Sequence, residues 1–125
     1  MMQTYDYLSV EGSVVRVDVQ KRDWSDHDAD AHLAYHVQFF RGIPRRFTVV
    51  VDARHLPYTL AAHIFFFRKL CIFAREQMKD RLIACTIHNA PMALKLMYRI
   101  LLTGGFVGTS TEKKVIFAAC DKKNN

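Results

Sequence analysis

Phe47-Thr-Val-Val-Val-Asp52 and Leu82-Ile-Ala-Cys-Thr-Ile87 are two short apolar runs that flank a long amphipathic stretch at residues 59–79. Continuous runs of this kind are typical of strands buried on both faces of a parallel sheet. In the stretch between them, apolar residues recur at helical spacing: Leu60, Ile64, Phe67, Cys71, Ala74 and Met78. This order predicts two central, parallel strands joined by a helix.

The residues on either side extend the pattern. Residues 5–10 and 14–19 alternate between polar and apolar positions around a Glu-Gly-Ser turn, which predicts a hairpin. A helix is expected to begin among the capping residues at 25–28 and to end before Gly42.

The C-terminal part predicts one more helix and strand. Asn89 is expected to cap a helix at residues 92–102, since Pro91 suits a first turn and two glycines follow the helix. Residues 114–119 form the last predicted strand.

The chain is therefore expected to be one α/β domain over residues 1–125, with a core at about 5–119 and a polar tail at 121–125. Its 125 residues, 50% of them hydrophobic, suffice to bury a core without disulfide bonds. The predicted element order, β-β-α-β-α-β-α-β, indicates a layered fold in which helices pack on a mixed, largely parallel sheet.

Charge and cysteine content narrow the class of protein. The net charge is +6, and residues 1–30 hold seven acidic and three basic side chains, which leaves +10 on the remainder. A basic surface suits an anionic membrane or an acidic partner, and we expect no nucleic-acid partner because no nucleic-acid-binding motif is present.

The cysteines lie in apolar runs without a C-x-x-C spacing, and residues 1–10 show no signal-peptide pattern. Both observations favour a reducing, cytoplasmic location.

A family resemblance rests on segments that follow one another between residues 47 and 118: Val49-Val-Val-Asp52, Leu56, Asn89-Ala-Pro91, Leu96-Met-Tyr-Arg-Ile-Leu101 and Thr109-Ser-Thr-Glu-Lys-Lys-Val-Ile-Phe117. In order and spacing they resemble the CRAL-TRIO lipid-binding family. The sequence departs from the family pattern at Ala74-Arg-Glu-Gln77, where a tyrosine-proline-glutamate is usual.

A second resemblance is to the STAS domains of anti-sigma-factor antagonists and transporter tails, through the starting hairpin and the overall length. Their phosphorylatable Asp-Ser-Ser-Gly turn corresponds to Pro57-Tyr-Thr-Leu-Ala-Ala62, which contains no serine. We therefore expect no phospho-switch, and neither resemblance implies an enzyme or a cofactor.

The CRAL-TRIO resemblance implies a non-catalytic module that binds a lipid, another apolar ligand or an anionic membrane surface. The expected apolar lining is Phe66, Phe73, Leu94, Met97, Tyr98, Leu101 and Phe106, and the candidate anionic-surface residues are Arg68, Lys69, Arg75, Lys95 and Arg99. This hypothesis predicts a cavity of several hundred Å³ behind the helices. The alternative is a protein-interaction or structural subunit, which predicts a packed core and an exposed apolar patch near Phe65 and Ile72.

No constellation predicts catalysis or metal binding. His32 and His36 lie one helical turn apart, with Asp28 a turn earlier, which is the spacing of a metal site. We nevertheless expect both histidines to be structural and to face solvent. The three cysteines are expected to fill the core, and the CRAL-TRIO resemblance implies that Asp52 caps the turn after its strand. A glycine-rich phosphate loop is absent from the sequence.

Overall fold

The structure, a computed structural model, describes residues 7–19, 26–55 and 64–118. The strands within these residues are β1 (Tyr7–Glu11), β2 (Val14–Asp18), β3 (Phe47–Asp52), β4 (Leu82–His88) and β5 (Val115–Phe117). The α-helices are α1 (Asp26–Arg41), α2 (Ile64–Phe73), α3 (Met92–Thr103) and the short α4 (Thr109–Glu112). Helix α2 continues without a break into a π-helical segment, Ala74–Met78.

The described strands form one sheet in the order β1-β2-β3-β4-β5. Strand β1 runs antiparallel to β2 after a tight turn in which Gly12 has a φ of 60°, a conformation that glycine adopts without strain. The remaining neighbours are parallel, and their register places Val49 beside both Val15 and Cys85. The prediction of a layered α/β fold on a mixed, largely parallel sheet is confirmed.

Helices α1, α2 and α3 all pack on one face of the sheet. Right-handed crossovers between successive neighbouring strands return on the same side, so sequential strand order gives one helical layer. Strand residues consequently alternate in burial: Val49 is buried and Val50 half-buried, while Leu82 is buried and Ile83 exposed. The prediction that β3 and β4 are buried on both faces is therefore wrong, although both strands are central and parallel.

The core between the two layers consists of two hydrophobic clusters. The first joins β2 and β3 to α1 and the end of α2, and it contains Val15, Val17, Phe40, Ile43, Phe47, Val49, Phe73, Met78 and Leu82. The second lies under α3 and contains Ala53, Ala90, Leu94, Met97, Leu101 and Val107. Val51 packs against both clusters, so it lies where the two halves of the core meet.

Arg81 ties the helical layer to the start of β4. Its Nη1 donates hydrogen bonds to the carbonyl oxygens of Phe40, at 3.0 Å, and of Ile43, and its Nη2 donates to the carbonyl of Gln77 at 2.9 Å. The last carbonyl groups of a helix have no partner within the helix. The Arg81 guanidinium group thus donates hydrogen bonds to carbonyl groups at the end of α1 and at the end of the π-helical segment.

Several element boundaries differ from the sequence prediction. The predicted cap Asn89 is wrong: Pro91 stands at the N-cap of α3 and makes no side-chain cap bond, while Asn89 adopts a left-handed φ of 57°. Strand β5 is shorter than residues 114–119, and α4 was not predicted. The predicted start of the second helix at residue 59, and the tail at 121–125, lie outside the described residues.

Candidate ligand cavity

A cavity of about 230 Å³ lies between the helical layer and the inner face of the sheet. Helix α2 and the π-helical segment cover it through Phe67, Leu70, Cys71, Ala74 and Met78. The opposite wall consists of inward-facing strand residues: Val17, Val49, Val51, Leu82, Cys85, Ile87, Val115 and Phe117. Almost all of the wall is apolar, so the cavity suits a hydrophobic occupant.

The cavity is elongated across the strands. Residues of β2, β3, β4 and β5 all contribute to its wall, and neighbouring strands are about 4.8 Å apart, so β2 and β5 lie about 14 Å from each other. At the β2 end, α1 contributes His32, His36 and Phe40; at the β5 end, Tyr98 of α3 and Thr111 of α4 complete the wall. Each end of a mostly apolar space thus carries a pair of polar side chains.

Two of the seven predicted lining residues, Leu94 and Tyr98, are on the cavity wall. Phe73, Met97 and Leu101 are buried in the core clusters instead. Phe106 packs at the edge of the second cluster, where the Arg68 guanidinium lies 5.5 Å from the centre of its ring. The side chain of Phe66 lies outside the described part of the structure.

The sequence prediction missed most of the sheet side of the cavity. It assigned the lining to helix residues and the loop after α3, whereas the strands contribute eight of the 22 residues that line the cavity. Alternation along each strand could have shown which residues share a face, such as Val49 and Val51. It could not show that the helices leave space above them.

The histidines of α1 are buried, which corrects the prediction that they face solvent. His32 is 2% and His36 4% exposed, and their rings stack with centroids 4.4 Å apart. His36 Nδ1 donates a 2.9 Å hydrogen bond to the carbonyl oxygen of His32, because a carbonyl can only accept. Within the described residues, no group of three histidine, cysteine or acidic side chains is arranged to hold a metal ion.

Two cysteines line the cavity, Cys71 from α2 and Cys85 from β4. Burial raises the pKa of Cys71 to about 11 and that of Cys85 to about 12. A nucleophilic cysteine needs a lowered pKa, so that the thiolate is present at neutral pH. Both side chains therefore act as small apolar groups in the wall, as the sequence predicts; Cys120 lies outside the described residues.

These thiols are expected to make stability fall at alkaline pH. Their folded-state pKa values lie above the ordinary value of 9.0, so the unfolded chain releases protons first as the pH rises. The free energy of unfolding should not depend on the thiols below about pH 9 and should fall between about pH 9 and pH 12. Urea denaturation in the presence of a reductant, at about pH 8 and about pH 10.5, measures this difference.

A double variant, Cys71→Val with Cys85→Val, provides the comparison. It should lose less stability between the two pH values than the parent protein. An equal loss in both proteins would assign the alkaline effect to other groups.

Tyr98 and Thr111 carry hydroxyl groups that have no hydrogen-bond partner in the described structure. The Tyr98 Oη and Thr111 Oγ1 atoms are both buried, and Thr111 as a whole is 5% exposed. The Tyr98 ring packs edge-on to Phe117, with centroids 5.3 Å apart. Burial, with smaller contributions from Cys71, Glu112 and Cys85, raises the pKa of Tyr98 to about 12, so its hydroxyl is protonated at neutral pH. Sequence reasoning identified the tyrosine but had no signal for the threonine.

Asp52 caps the turn after β3, which is the structural role that the CRAL-TRIO resemblance implies. Its Oδ1 accepts a 3.1 Å hydrogen bond from the backbone N–H of Arg54 and a 3.2 Å bond from Asn89 Nδ2. Burial opposes ionisation, but these two bonds and the charges of Arg54 and His55 outweigh it and lower the pKa of Asp52. The carboxylate thus links the C-terminal end of β3 to Asn89, which directly follows the C-terminal end of β4.

The candidate cationic residues lie on α2, on the π-helical segment and on α3. Arg68 lies over the ring of Phe65 at 4.9 Å as well as over Phe106, and Arg75 Nη1 donates a 3.0 Å bond to the carbonyl of Gly105. Both arginines therefore hold the loop after α3 against α2. Lys69 on α2 is exposed, whereas Arg99 and the half-buried Lys95 lie on α3.

Helix α3 presents an apolar stripe to the outside. Met92, Leu96 and Ile100 recur every fourth residue, which aligns them on one side of the helix, and they are 67%, 52% and 61% exposed. Lys95 and Arg99 flank this stripe. The exposed patch predicted near Phe65 and Ile72 is smaller, since Phe65 is exposed but Ile72 is half-buried.

No protein-family model, curated protein or solved structure matches this chain. Among the residues that the structure describes, no helix has both the length and the apolar content needed to cross a membrane.

Proposed function

We propose that this protein is a non-catalytic binding module that holds an elongated apolar small molecule or a lipid chain between α2 and the sheet. The cavity is the observation that carries the proposal. Its 230 Å³ exceed the roughly 150 Å³ of an engineered apolar cavity that binds benzene. A small domain that filled its interior would contain few voids larger than a water molecule.

Two further features support a ligand-binding function rather than a catalytic one. The thiols in the wall are protonated at neutral pH, and the Asp52 carboxylate is engaged by Arg54 and Asn89. The resemblance to CRAL-TRIO domains implies the same class of activity. The function rests on the cavity rather than on that resemblance, because the cavity alone specifies a site.

Native mass spectrometry tests the proposal directly. Protein purified without detergent should carry an additional small mass that is lost on denaturation, and the refolded protein should bind the fluorescent probe aminoanthracene. The bound probe should be displaced by apolar compounds and not by polar compounds of similar size. The absence of a bound mass, together with failure of the probe to bind, would overturn the proposal.

The stripe on α3 favours a second function, contact with an anionic membrane surface. Three exposed apolar side chains with two cations beside them match a surface on which apolar groups enter the lipid and cations meet the headgroups. Each cation near such a surface contributes about 1 kcal/mol. The helix that carries the stripe also lines the cavity through Leu94 and Tyr98, so membrane contact and ligand exchange would involve the same element.

Leu96→Glu is expected to abolish this membrane contact. The protein should sediment with vesicles that contain phosphatidylserine and less with pure phosphatidylcholine, and the variant should remain in the supernatant. Ile116→Glu is the matched control, since Ile116 is also 52% exposed but lies on β5, facing away from the helical layer.

If the protein binds neither vesicle type, the membrane function is wrong. A concentration-dependent dimer that Leu96→Glu disrupts would instead assign the stripe to protein association. That result would favour the structural-subunit alternative for this surface.

A further inference from the structure

The starts of β3, β4 and β5 lie side by side at one edge of the sheet, and basic residues directly precede each of them. The backbone N–H of Phe47 donates a 2.8 Å hydrogen bond to the carbonyl oxygen of Arg81, and that of Cys85 donates a 2.8 Å bond to the carbonyl oxygen of Lys114. Neighbouring strands are about 4.8 Å apart, so β3 and β5 are separated by about 10 Å. The residues before the three strands form a basic edge: Arg45, Arg46, Lys79, Arg81, Lys113 and Lys114.

Local structure accounts for two of these cations. Helices that return from the far edge of the sheet end here, and cations suit the negative ends of their dipoles. Arg81 donates to carbonyl groups at the ends of α1 and of the π-helical segment, and Lys114 Nζ donates a 2.7 Å bond to the carbonyl oxygen of Lys79. Asp80 and Glu112 are the acidic residues in the same turns. The other basic side chains of the edge are exposed and make no ion pair or side-chain hydrogen bond with a described residue: Arg45, Arg46, Lys79 and Lys113.

An exposed apolar side chain lies among these cations. The pairing between β3 and β4 skips Ile83, which therefore forms a β-bulge at the start of β4. Its side chain is 43% exposed. On one side of this bulge, Arg46 directly precedes β3; on the other side, Lys113 lies two residues before β5. Cations at the starts of the two neighbouring strands thus flank an apolar side chain on β4.

This arrangement fits an acidic polypeptide better than a nucleic acid or a membrane. The exposed aromatic residues that the structure describes, Tyr35 and Phe65, lie within α1 and near the start of α2, so neither is at the basic edge to stack on a base. A membrane takes up a stripe of apolar side chains, such as the one on α3, whereas Ile83 is a single residue between cations. Carboxylates on either side of one apolar side chain complement this order of charges.

We infer that the basic edge binds an acidic segment of a partner protein in which an apolar side chain lies between acidic residues. The apolar side chain contacts Ile83, and the flanking carboxylates pair with Arg45 and Arg46 on one side and with Lys113 on the other. This surface does not depend on the cavity, so the inference and the proposed function can fail separately.

Fluorescence anisotropy of labelled synthetic peptides, titrated with the full chain, tests the inference. The probes are peptides of equal length that repeat Glu-Glu-Leu, Glu-Glu-Ser or Lys-Lys-Leu. The Glu-Glu-Leu peptide should bind about three- to tenfold more tightly than the Glu-Glu-Ser peptide, because leucine can bury apolar surface against Ile83. The Lys-Lys-Leu peptide should not bind, since its charges have the same sign as those of the edge.

Charge reversals identify the surface responsible. Arg46→Glu and Lys113→Glu should each weaken binding of the Glu-Glu-Leu peptide about five- to tenfold at physiological salt. Arg16→Glu is the matched control, since Arg16 is also exposed but pairs with Val50 on β3, about 13 Å along the strand from Arg46. Salt screens charges beyond about 8 Å, so this control should change the affinity less than about twofold.

Ile83→Ser tests the apolar contact. This variant should bind the Glu-Glu-Leu and Glu-Glu-Ser peptides equally, because the change removes one partner of the apolar pair. Ile116→Ser is the control, since Ile116 is 52% exposed on β5, and it should preserve the difference between the two peptides. Circular dichroism and melting temperature close to those of the parent protein would show that each variant is folded.

Each contrary outcome has a separate meaning. Failure of both acidic peptides to bind, or equal losses in Arg46→Glu and Arg16→Glu, would overturn the inference and leave the cavity function standing. Equal affinity of the parent protein for the two acidic peptides would overturn the contact with Ile83. Tighter binding to labelled single-stranded DNA or to phosphatidylserine vesicles, lost in Arg46→Glu and Lys113→Glu, would assign the edge to phosphate groups instead. Peptide binding without any binding of aminoanthracene would overturn the proposed function alone.

Discussion

Val51→Phe is expected to remove the binding of apolar ligands while leaving the fold intact. Val51 lies on the central strand β3, is half-buried, lines the cavity and packs against both core clusters. A phenyl ring at this position would extend into the space that a ligand occupies. Affinity for aminoanthracene should fall about 100-fold, which corresponds to about 2.7 kcal/mol.

The stability of this variant separates ligand exclusion from damage to the core. A larger side chain in a tightly packed core costs about 1–3 kcal/mol, whereas one that fills an existing space recovers part of the cost of the cavity, about 24 cal/mol per Å³ filled. Val51→Phe should therefore melt at or above the temperature of the parent protein without ligand. A large loss of stability would indicate that the space above β3 is not available to an aromatic ring.

Val50→Phe is the matched control for Val51→Phe. Val50 is the adjacent residue on the same strand and is also half-buried, but it faces away from the helices and does not line the cavity. The same chemical change should leave ligand affinity within about twofold of the parent. Equal losses of binding in the two variants would show that the effect comes from the strand as a whole rather than from the cavity.

Phe47→Ala is expected to cause the largest loss of stability. Phe47 is 1% exposed at the start of β3, its ring stacks on Phe40 at 5.8 Å, and the Arg81 guanidinium lies 6.0 Å from the ring centre. Truncating a fully buried phenylalanine costs about 3–5 kcal/mol. Single domains have a total stability of about 5–15 kcal/mol, so this variant approaches the threshold for folding.

Urea denaturation of Phe47→Ala and Phe65→Ala at neutral pH provides the measurement. Phe65 undergoes the same substitution but is 61% exposed, and its contact with Arg68 accounts for about 0.5–1 kcal/mol. The ratio of the two losses in free energy of unfolding, rather than either value alone, tests whether Phe47 belongs to the core and Phe65 to the surface. Similar losses at both sites would mean that the first core cluster does not contain Phe47 as described.

Much of the fold could be read from local patterns. The apolar runs at β3 and β4, the turn at Gly12 and the helical spacing after residue 64 each depend on neighbouring residues, so the element order followed from the sequence alone. Burial was harder to predict, because a continuous apolar run does not distinguish a strand covered on both faces from one covered on a single face. Val50 and Ile83 were assigned to the interior for this reason, and the sheet leaves them half-buried and exposed.

The candidate site was less predictable than the fold. Tyr98 and Leu94 were identified because the family resemblance pointed to their helix, and the strand side of the cavity was missed. The sequence predicts that His32 and His36 face solvent, since two histidines one turn apart are common by chance and no H-E-x-x-H motif is present. Both side chains are instead buried in the wall of the cavity, to which Val17 of β2 and Val19 directly after it also belong.

The sequence by itself determined the α/β class, the order of the strands and of the three longer α-helices, and the parallel pairing of the central strands. These properties depend on residue type and on spacing along the chain. The tertiary structure alone decided that all the main helices share one face, that they leave a cavity above β3, and that Tyr98 and Thr111 both belong to its wall. Those properties depend on distances between residues far apart in the chain, which no local periodicity encodes.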